Sequence, residues 1–166
     1  MKKMFSLSNL IFLVAILYAA YSMIPVMRNN FSQEGETIDP QDYQTINADG
    51  TIQTLRFPAN DRSIAIFWAT WCAPCKLEMA RLKTSVVQGK IPLKAIVAIN
   101  PFESPEAVRT FLKKESYPFT FLEDRGVSRV LNVNTTPTTL FLEKNKIVSL
   151  SSGLSFFGIW NAERFL

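Results

Sequence analysis

Ile64-Ala65-Ile66-Phe67-Trp68-Ala69-Thr70-Trp71-Cys72-Ala73-Pro74-Cys75-Lys76-Leu77-Glu78 is the stretch on which the reading of this chain turns. A short apolar run ends at Trp68, and a Cys-x-x-Cys pair follows and opens an amphipathic segment. Strand, cysteine pair and helix in that order are the setting in which Cys-x-x-Cys implies dithiol redox chemistry. Cys72 is expected at the helix N-terminus, where unpaired N–H groups and the macrodipole favour thiolate over thiol. Cys75 sits a turn deeper and is more shielded. The pair therefore divides into an attacking Cys72 and a resolving Cys75. Pro74 falls in the first turn, where its missing N–H costs least.

Working outward, Cys75, Met79, Leu82 and Val86 form one helical stripe, which Gly89 ends. Leu93 to Ile99 is apolar but for Lys94, as expected of a strand buried on both faces. Ser104-Pro105-Glu106 starts a helix that would bury Ala107, Val108, Phe111 and Leu112. Tyr117-Pro118 breaks it before a short strand over Phe119 to Leu122. Asp124 to Val133 predicts a short helix with Val127, Val130 and Leu131 inward. Thr138 to Leu142 and Ile147 to Leu150 pair through Lys144-Asn145-Lys146, and Ser155 to Phe165 closes as a helix. On the N-terminal side, Tyr43 to Asn47 and Thr51 to Phe57 read as a hairpin through Asp49-Gly50. Ser63 to Trp68 is the first core strand. Alternating strands and helices of this kind indicate a layered α/β domain.

The totals narrow the chemistry. The chain has 166 residues, two cysteines and no histidine. That removes Ser-His-Asp and Cys-His nucleophiles, His-ligated zinc and proximal-His haem. Two cysteines alone do not close a structural zinc site, so neither a metal nor a cofactor is expected. The net charge of +4 raises the question of a nucleic-acid partner. Lys2, Lys3 and Arg28 flank the apolar N-terminus, and without them 15 basic and 14 acidic residues remain. No polyanion-binding footprint follows, and no nucleic acid is expected.

Residues 4–27 carry no charge, and about 20 apolar residues cross a bilayer as a helix. Residues 1–28 read as an N-terminal membrane anchor, with Lys2 and Lys3 favouring a cytoplasmic start. A cleavable signal peptide is the competing reading, with Ala20-Tyr21-Ser22 as a small-x-small site. Residues 29–40 read as a polar linker and residues 41–166 as one domain. Either reading places the domain outside the cytoplasm.

Trp71-Cys72-Ala73-Pro74-Cys75-Lys76 resembles the active site of the thioredoxin superfamily. The longer string, Phe67 to Glu78, resembles its membrane-anchored TlpA/ResA-like branch, with the DsbE-type proteins close by. The likeness runs from about Tyr43 to the C-terminus. It implies a thioredoxin-like fold with an N-terminal β-hairpin and a central βα insertion over Pro101 to Leu122. It also implies that Trp71 shields the reacting sulfur and that Pro137, in Thr135-Thr136-Pro137-Thr138-Thr139, is a cis-proline facing the cysteines. Thr136 would then offer free backbone groups to a substrate peptide. Glu78 lies three residues after Cys75, on the same helix face, and matches an acidic position of the branch. A carboxylate there could shuttle protons and raise thiol pKa. Two departures stand out. Ile66 replaces the buried Asp of ordinary thioredoxins, and Ala80 replaces a helix-kinking Pro.

The expected function is an extracytoplasmic thiol–disulfide oxidoreductase on a bacterial inner membrane, single-pass. It would reduce client proteins with cysteine pairs, of cytochrome c maturation or metallochaperone type. A membrane thiol carrier would recharge it, and residues 4–27 would meet the lipid bilayer. A dithiol oxidase of the same fold is the alternative in direction. From another class, a Cu(I)- or peptide-binding module without turnover stands against it, and a peroxidase ranks last. A purely structural disulfide is disfavoured because closing so short a loop gains little.

Overall fold

The computed structural model describes residues 7–155 and 158–166. The strand built from Ser63 onward is β3, Arg62–Phe67, and it is central because all but its first residue are buried. It pairs in parallel with β4, Ile96–Asn100, and antiparallel with β6, Thr138–Glu143. β5, Thr120–Glu123, lies parallel beside β4, and β7, Lys146–Ser152, lies antiparallel beside β6. The sheet order is β5-β4-β3-β6-β7.

Alternation along β3 sends side chains to two separate cores. Ile64, Ile66 and Trp68 pack with Met79, Leu82, Val108, Phe121 and Ala162. That face is covered by α2, Ala73–Val87, α3, Pro105–Leu112, and α5, Gly158–Phe165. Ala65 and Phe67 face the other way, with Tyr43, Phe57, Val127, Leu131 and Leu140. There the cover is α4, Val127–Val130, and the antiparallel hairpin of β1, Gln41–Gln44, with β2, Thr54–Phe57. The layered α/β arrangement read from the sequence is present.

Local signals act where expected. Ser104 caps α3 by accepting from the Ala107 N–H, with Pro105 at the first helical position. Gly89, with φ of +72°, ends α2 in a Schellman motif: its N–H bonds Val86 O and the Lys90 N–H bonds Ser85 O. Lys144 and Asn145 both take positive φ, so β6 and β7 join through a two-residue turn whose twist suits the strands. Lys146 is already strand. With Ala80 where a kinking Pro would stand, α2 is a single uninterrupted helix.

Several expectations are corrected. Leu93–Ala95 forms a 3-10 turn, so the strand starts only at Ile96. Ala107 is exposed, and Val108, Phe111 and Leu112 alone turn to the core. Val130 is 80% exposed because the single-turn α4 ends there, while Val127 and Leu131 are buried. Phe156 and Phe157 of the closing helix lie outside the described residues, and α5 is described from Gly158.

The N-terminal helix α1 runs from Leu7 to Gln33, beyond the anchor boundary and into the expected linker. The expected membrane-spanning helix over 4–27 is not found. Residues 4–6 lie outside the described ones, and among the described residues no helix is long and apolar enough to cross a membrane. Pro25 sits inside α1, and the helix continues through Arg28 into polar sequence. The stretch after it is not a free tether: Gly35 N–H bonds Ile147 O, Ile147 N–H bonds Glu36 O, and Thr37 bridges Lys146. Residues 35–38 thus cover the β7 edge. At the opposite edge Ile46 N–H bonds Phe121 O and Thr45 bridges Leu122, so the hairpin covers β5. These contacts engage the start of β7 and the middle of β5, which shortens the open part of each edge.

The two faces of α4 give a direct check. Leu131→Ala should lower stability by about 2–4 kcal/mol, as burial and cavity terms require. Val130→Ser should change it by less than about 0.5 kcal/mol. Urea unfolding with an unchanged slope reads both.

Candidate active site

The register brings four loops to one end of the sheet. Phe67, the last residue of β3, pairs with Thr138, the first of β6, and lies beside Ile99 of β4. Thr138 in turn pairs with Ser152, the last residue of β7. Residues 68–72, 101–104, 135–137 and 153–155 therefore leave the sheet at the same end. Carboxyl ends of parallel strands are where α/β sheets gather function.

The cysteine loop is a tight turn. Trp68 N–H still pairs with Ile99 O, and Cys72 N–H bonds Ala69 O at 3.1 Å. Cys72 is the N-cap of α2, with extended φ and ψ of −83° and 99°. Its sulfur accepts from the Cys75 N–H at 3.2 Å. The two cysteines are joined in a disulfide, with Cα atoms 5.3 Å apart. Cys72 is 4% exposed and Cys75 is fully buried. The helix N-terminus thus presents a backbone donor to the outer sulfur, where negative charge is favoured. Trp71 is 67% exposed, and its ring stands 6.2 Å from that of Phe102.

Thr136-Pro137 is a cis bond, as the resemblance implies, and Pro137 is buried. Pro137 O accepts from Gly153 N–H at 2.7 Å, which ties this loop to the one after β7. Thr136 is half-buried, and among the described residues no backbone hydrogen bond engages it. A second cis bond, Phe57-Pro58, closes the hairpin and was not foreseen.

Glu78 shares the buried face of α2 with Cys75 and is 2% exposed. Burial pushes its carboxyl above the ordinary range. The Ser155 backbone N–H, the charge of Arg81 and the Thr139 hydroxyl pull the other way without overcoming it. Oε1 receives the Thr139 hydroxyl at 3.5 Å, while Oε2 has no protein partner. A Cβ at Gly158 would stand 3.0 Å from Oε1, so α5 presses its first residue against this carboxylate. Ile66, at the position of the missing Asp, is wholly buried core.

Three residues that the sequence reading did not single out complete the site. Glu103 Oε2 accepts from the Thr70 backbone N–H at 2.6 Å and from the Asn100 amide at 2.7 Å. Its Oε1 accepts from the Thr70 hydroxyl. Asn100 Oδ1 accepts from the N–H groups of Phe102 and Glu103. Burial pushes the Glu103 carboxyl up, but the Thr70 and Asn100 donors outweigh it and hold it below its ordinary range. The available signal was Asn100 at a strand end, three residues before Glu103, an arrangement suited to a side-chain-capped turn.

Among the described residues no group of three or more Asp, Glu, Cys or His gathers to hold a metal ion. A cavity of about 510 Å³ lies away from these loops, between residues 32–43 and α4, with Tyr43 and Val130 in its wall.

Comparison with known proteins agrees with this architecture. ResA of Bacillus subtilis, a thiol-disulfide oxidoreductase, is 34% identical over 90 residues, covering 52% of this chain and 50% of ResA. The thioredoxin-like protein YneN of the same organism is 29% identical over 122 residues, 70% of this chain and 69% of YneN. Against ResA, the match spans about half the relative's length. Among solved structures, StoA from Bacillus subtilis aligns with a TM-score of 0.61 at 20% identity, over 76% of this chain and 97% of StoA. The exposed lipoprotein thioredoxin Etrx1 from Streptococcus pneumoniae aligns at 0.58 and 19%, over 76% and 100%. These likenesses establish a thioredoxin-like fold. The profile of the AhpC/TSA family matches residues 35–151, and the chain belongs to that family.

Proposed function

We propose that this protein is a thiol–disulfide oxidoreductase of the ResA/DsbE type, working outside the cytoplasm to reduce disulfides in client proteins. The observation that carries the reading is the outer sulfur of a two-cysteine pair, capping a helix whose own N–H points at it. In the reduced form the Cys72 thiolate attacks a client disulfide. A Cys72–client bond forms, the client S–S bond breaks, and the other client sulfur leaves as thiolate. Cys75 then loses its proton and attacks the Cys72 sulfur, closing the internal disulfide and releasing the second client thiolate. Two electrons pass from the Cys72–Cys75 pair to the client, the Cys75 proton goes to Glu78, and the two client thiolates take up protons from solvent. A membrane dithiol carrier returns the electrons.

Glu78 is the proton acceptor for Cys75. It lies on the same buried face, its Oε2 is unpaired, and burial raises its affinity for a proton, as suits an acceptor. A sulfur only 4% exposed is reached by a slender, extended segment. Thr136, with its backbone free beside cis-Pro137, supplies strand-like bonds to such a segment. Trp71 flanks it. Clients of cytochrome c maturation or metallochaperone type meet this requirement, since each presents a cysteine pair in an accessible segment.

The protein is held at a membrane through α1. Leu10, Ile11, Phe12, Leu13 and Val14 are exposed in succession, so apolar surface faces outward on every side of the helix. Exposed apolar area of this extent marks a protein or membrane contact. Lys2 and Lys3 favour the cytoplasmic side for the N-terminus. An oxidising compartment also suits a protein whose only two cysteines are joined.

Cys75→Ala should accumulate a mixed disulfide through Cys72, visible as a dithiothreitol-sensitive adduct on non-reducing gels. Cys72→Ala should form none and should lose insulin-reduction turnover. Glu78→Gln should slow closure of the internal disulfide by about 100-fold, the scale of a lost general base, measured by stopped-flow fluorescence. The same substitution tests the carboxyl's environment. The folded oxidised protein retains the Glu78 proton above the pH at which the unfolded chain loses it. Its contribution is full below the ordinary carboxylate pKa and is lost as pH rises through the raised value. Melting temperatures of the Glu78→Gln protein should therefore gain on the parent as pH rises across this window. Finally, the full chain should sediment with membranes at physiological ionic strength; recovery in the supernatant would overturn attachment through α1.

A further inference from the structure

Glu103 stands just before α3, where an acidic side chain ordinarily serves the helix dipole. That role is already filled. Ser104 caps α3 through its own hydroxyl, and the Glu103 carboxylate turns back to Thr70 instead. Both of its oxygens are occupied there, by one backbone N–H and one hydroxyl of the same residue. Asn100, 5% exposed, fixes the other end by donating to Oε2 while its carbonyl oxygen bonds the Phe102 and Glu103 N–H groups. The loop is locked from within before it reaches across.

The target of this clamp is the turn that aims Cys72. Ala69 O and Cys72 N–H close that turn, so Thr70 and Trp71 are its two corners. Loop 100–103 holds both: Glu103 takes the Thr70 peptide, and Phe102 stands against Trp71 with ring centroids 6.2 Å apart. Bonds to an ionised acceptor are stronger than neutral ones and fix direction. A rotation of the Thr70 peptide would swing Cys72 off the first turn of α2 and away from the Cys75 N–H that its sulfur accepts.

We infer that Glu103 is a positioning residue for the Cys72 sulfur, acting through the Thr70 N–H and hydroxyl across the gap between the β3 and β4 loops. The inference rests on the reading of Cys72 as the attacking thiol. It involves no contact of Glu103 with the client.

The test uses the full chain, reduced, with iodoacetamide labelling of each cysteine followed by mass spectrometry from pH 4 to 9. In E103Q, which keeps the shape and removes the charged acceptor, Cys72 alkylation at pH 7 should fall by about 10-fold, the scale of a modest misplacement. The midpoint of its pH profile should move upward. T70V, which removes only the hydroxyl, should move both in the same direction by less. The double variant should be no slower than E103Q alone, because both act along one route. A pH profile left in place by E103Q, even with a lowered melting temperature, would overturn the inference and leave Cys72 as the attacking thiol. So would fully additive effects. Should E103Q not fold, an unmoved profile in T70V overturns it alone. Alkylation of Cys75 ahead of Cys72 in the parent protein would overturn the underlying reading as well.

Discussion

The pairing of β3 on both sides governs the rest of the molecule. A strand buried on both faces must satisfy every backbone group within the sheet, so its partners and their offsets are not free to vary. Once Phe67 is set opposite Thr138 and beside Ile99, the ends of four chain segments are committed to one place. Cys72, Pro137, Glu103 and Ser155 come from separate parts of the chain. Their gathering follows from strand register. The chemistry of the site then needs only short turns and one helix start to place a sulfur against a backbone donor.

Much of this was legible because it depends on local signals. The Cys-x-x-Cys string fixed the strand-to-helix turn, and Ser104-Pro105 fixed the start of α3. The turn read through Lys144-Asn145-Lys146 announced a hairpin, although Lys146 belongs to β7 and the turn is one residue shorter. Tertiary packing decided the rest. Val130 carries the right side chain for a core but stands on a helix of one turn, too short to present two apolar faces to the sheet. Leu93 to Ala95 is apolar enough for a strand, yet Pro92 sets a turn there instead. Nothing along the chain reveals that Thr70, 33 positions away, needs the oxygens of Glu103. Interactions of that separation leave no periodic trace.

The two carboxyl groups of the site, Glu78 buried and Glu103 half-buried, are handled in opposite ways. Glu103 is given three donors, and its carboxyl lies below the ordinary range. Glu78 is given fewer and is buried more deeply, and its carboxyl lies above that range. In one group the charged form is favoured, which suits holding a backbone, and in the other the neutral form is favoured. Solvation and hydrogen bonding alone separate the two behaviours, without any difference in the side chains themselves.

Capping both borders of the sheet, by residues 35–38 on one side and the hairpin on the other, also bears on crowding. Molecules gathered on a surface meet one another at high local concentration, and an open strand border would let them stack into fibrils. Where residues 35–38 and the hairpin lie, the backbone groups they engage are not open to pairing with a second chain.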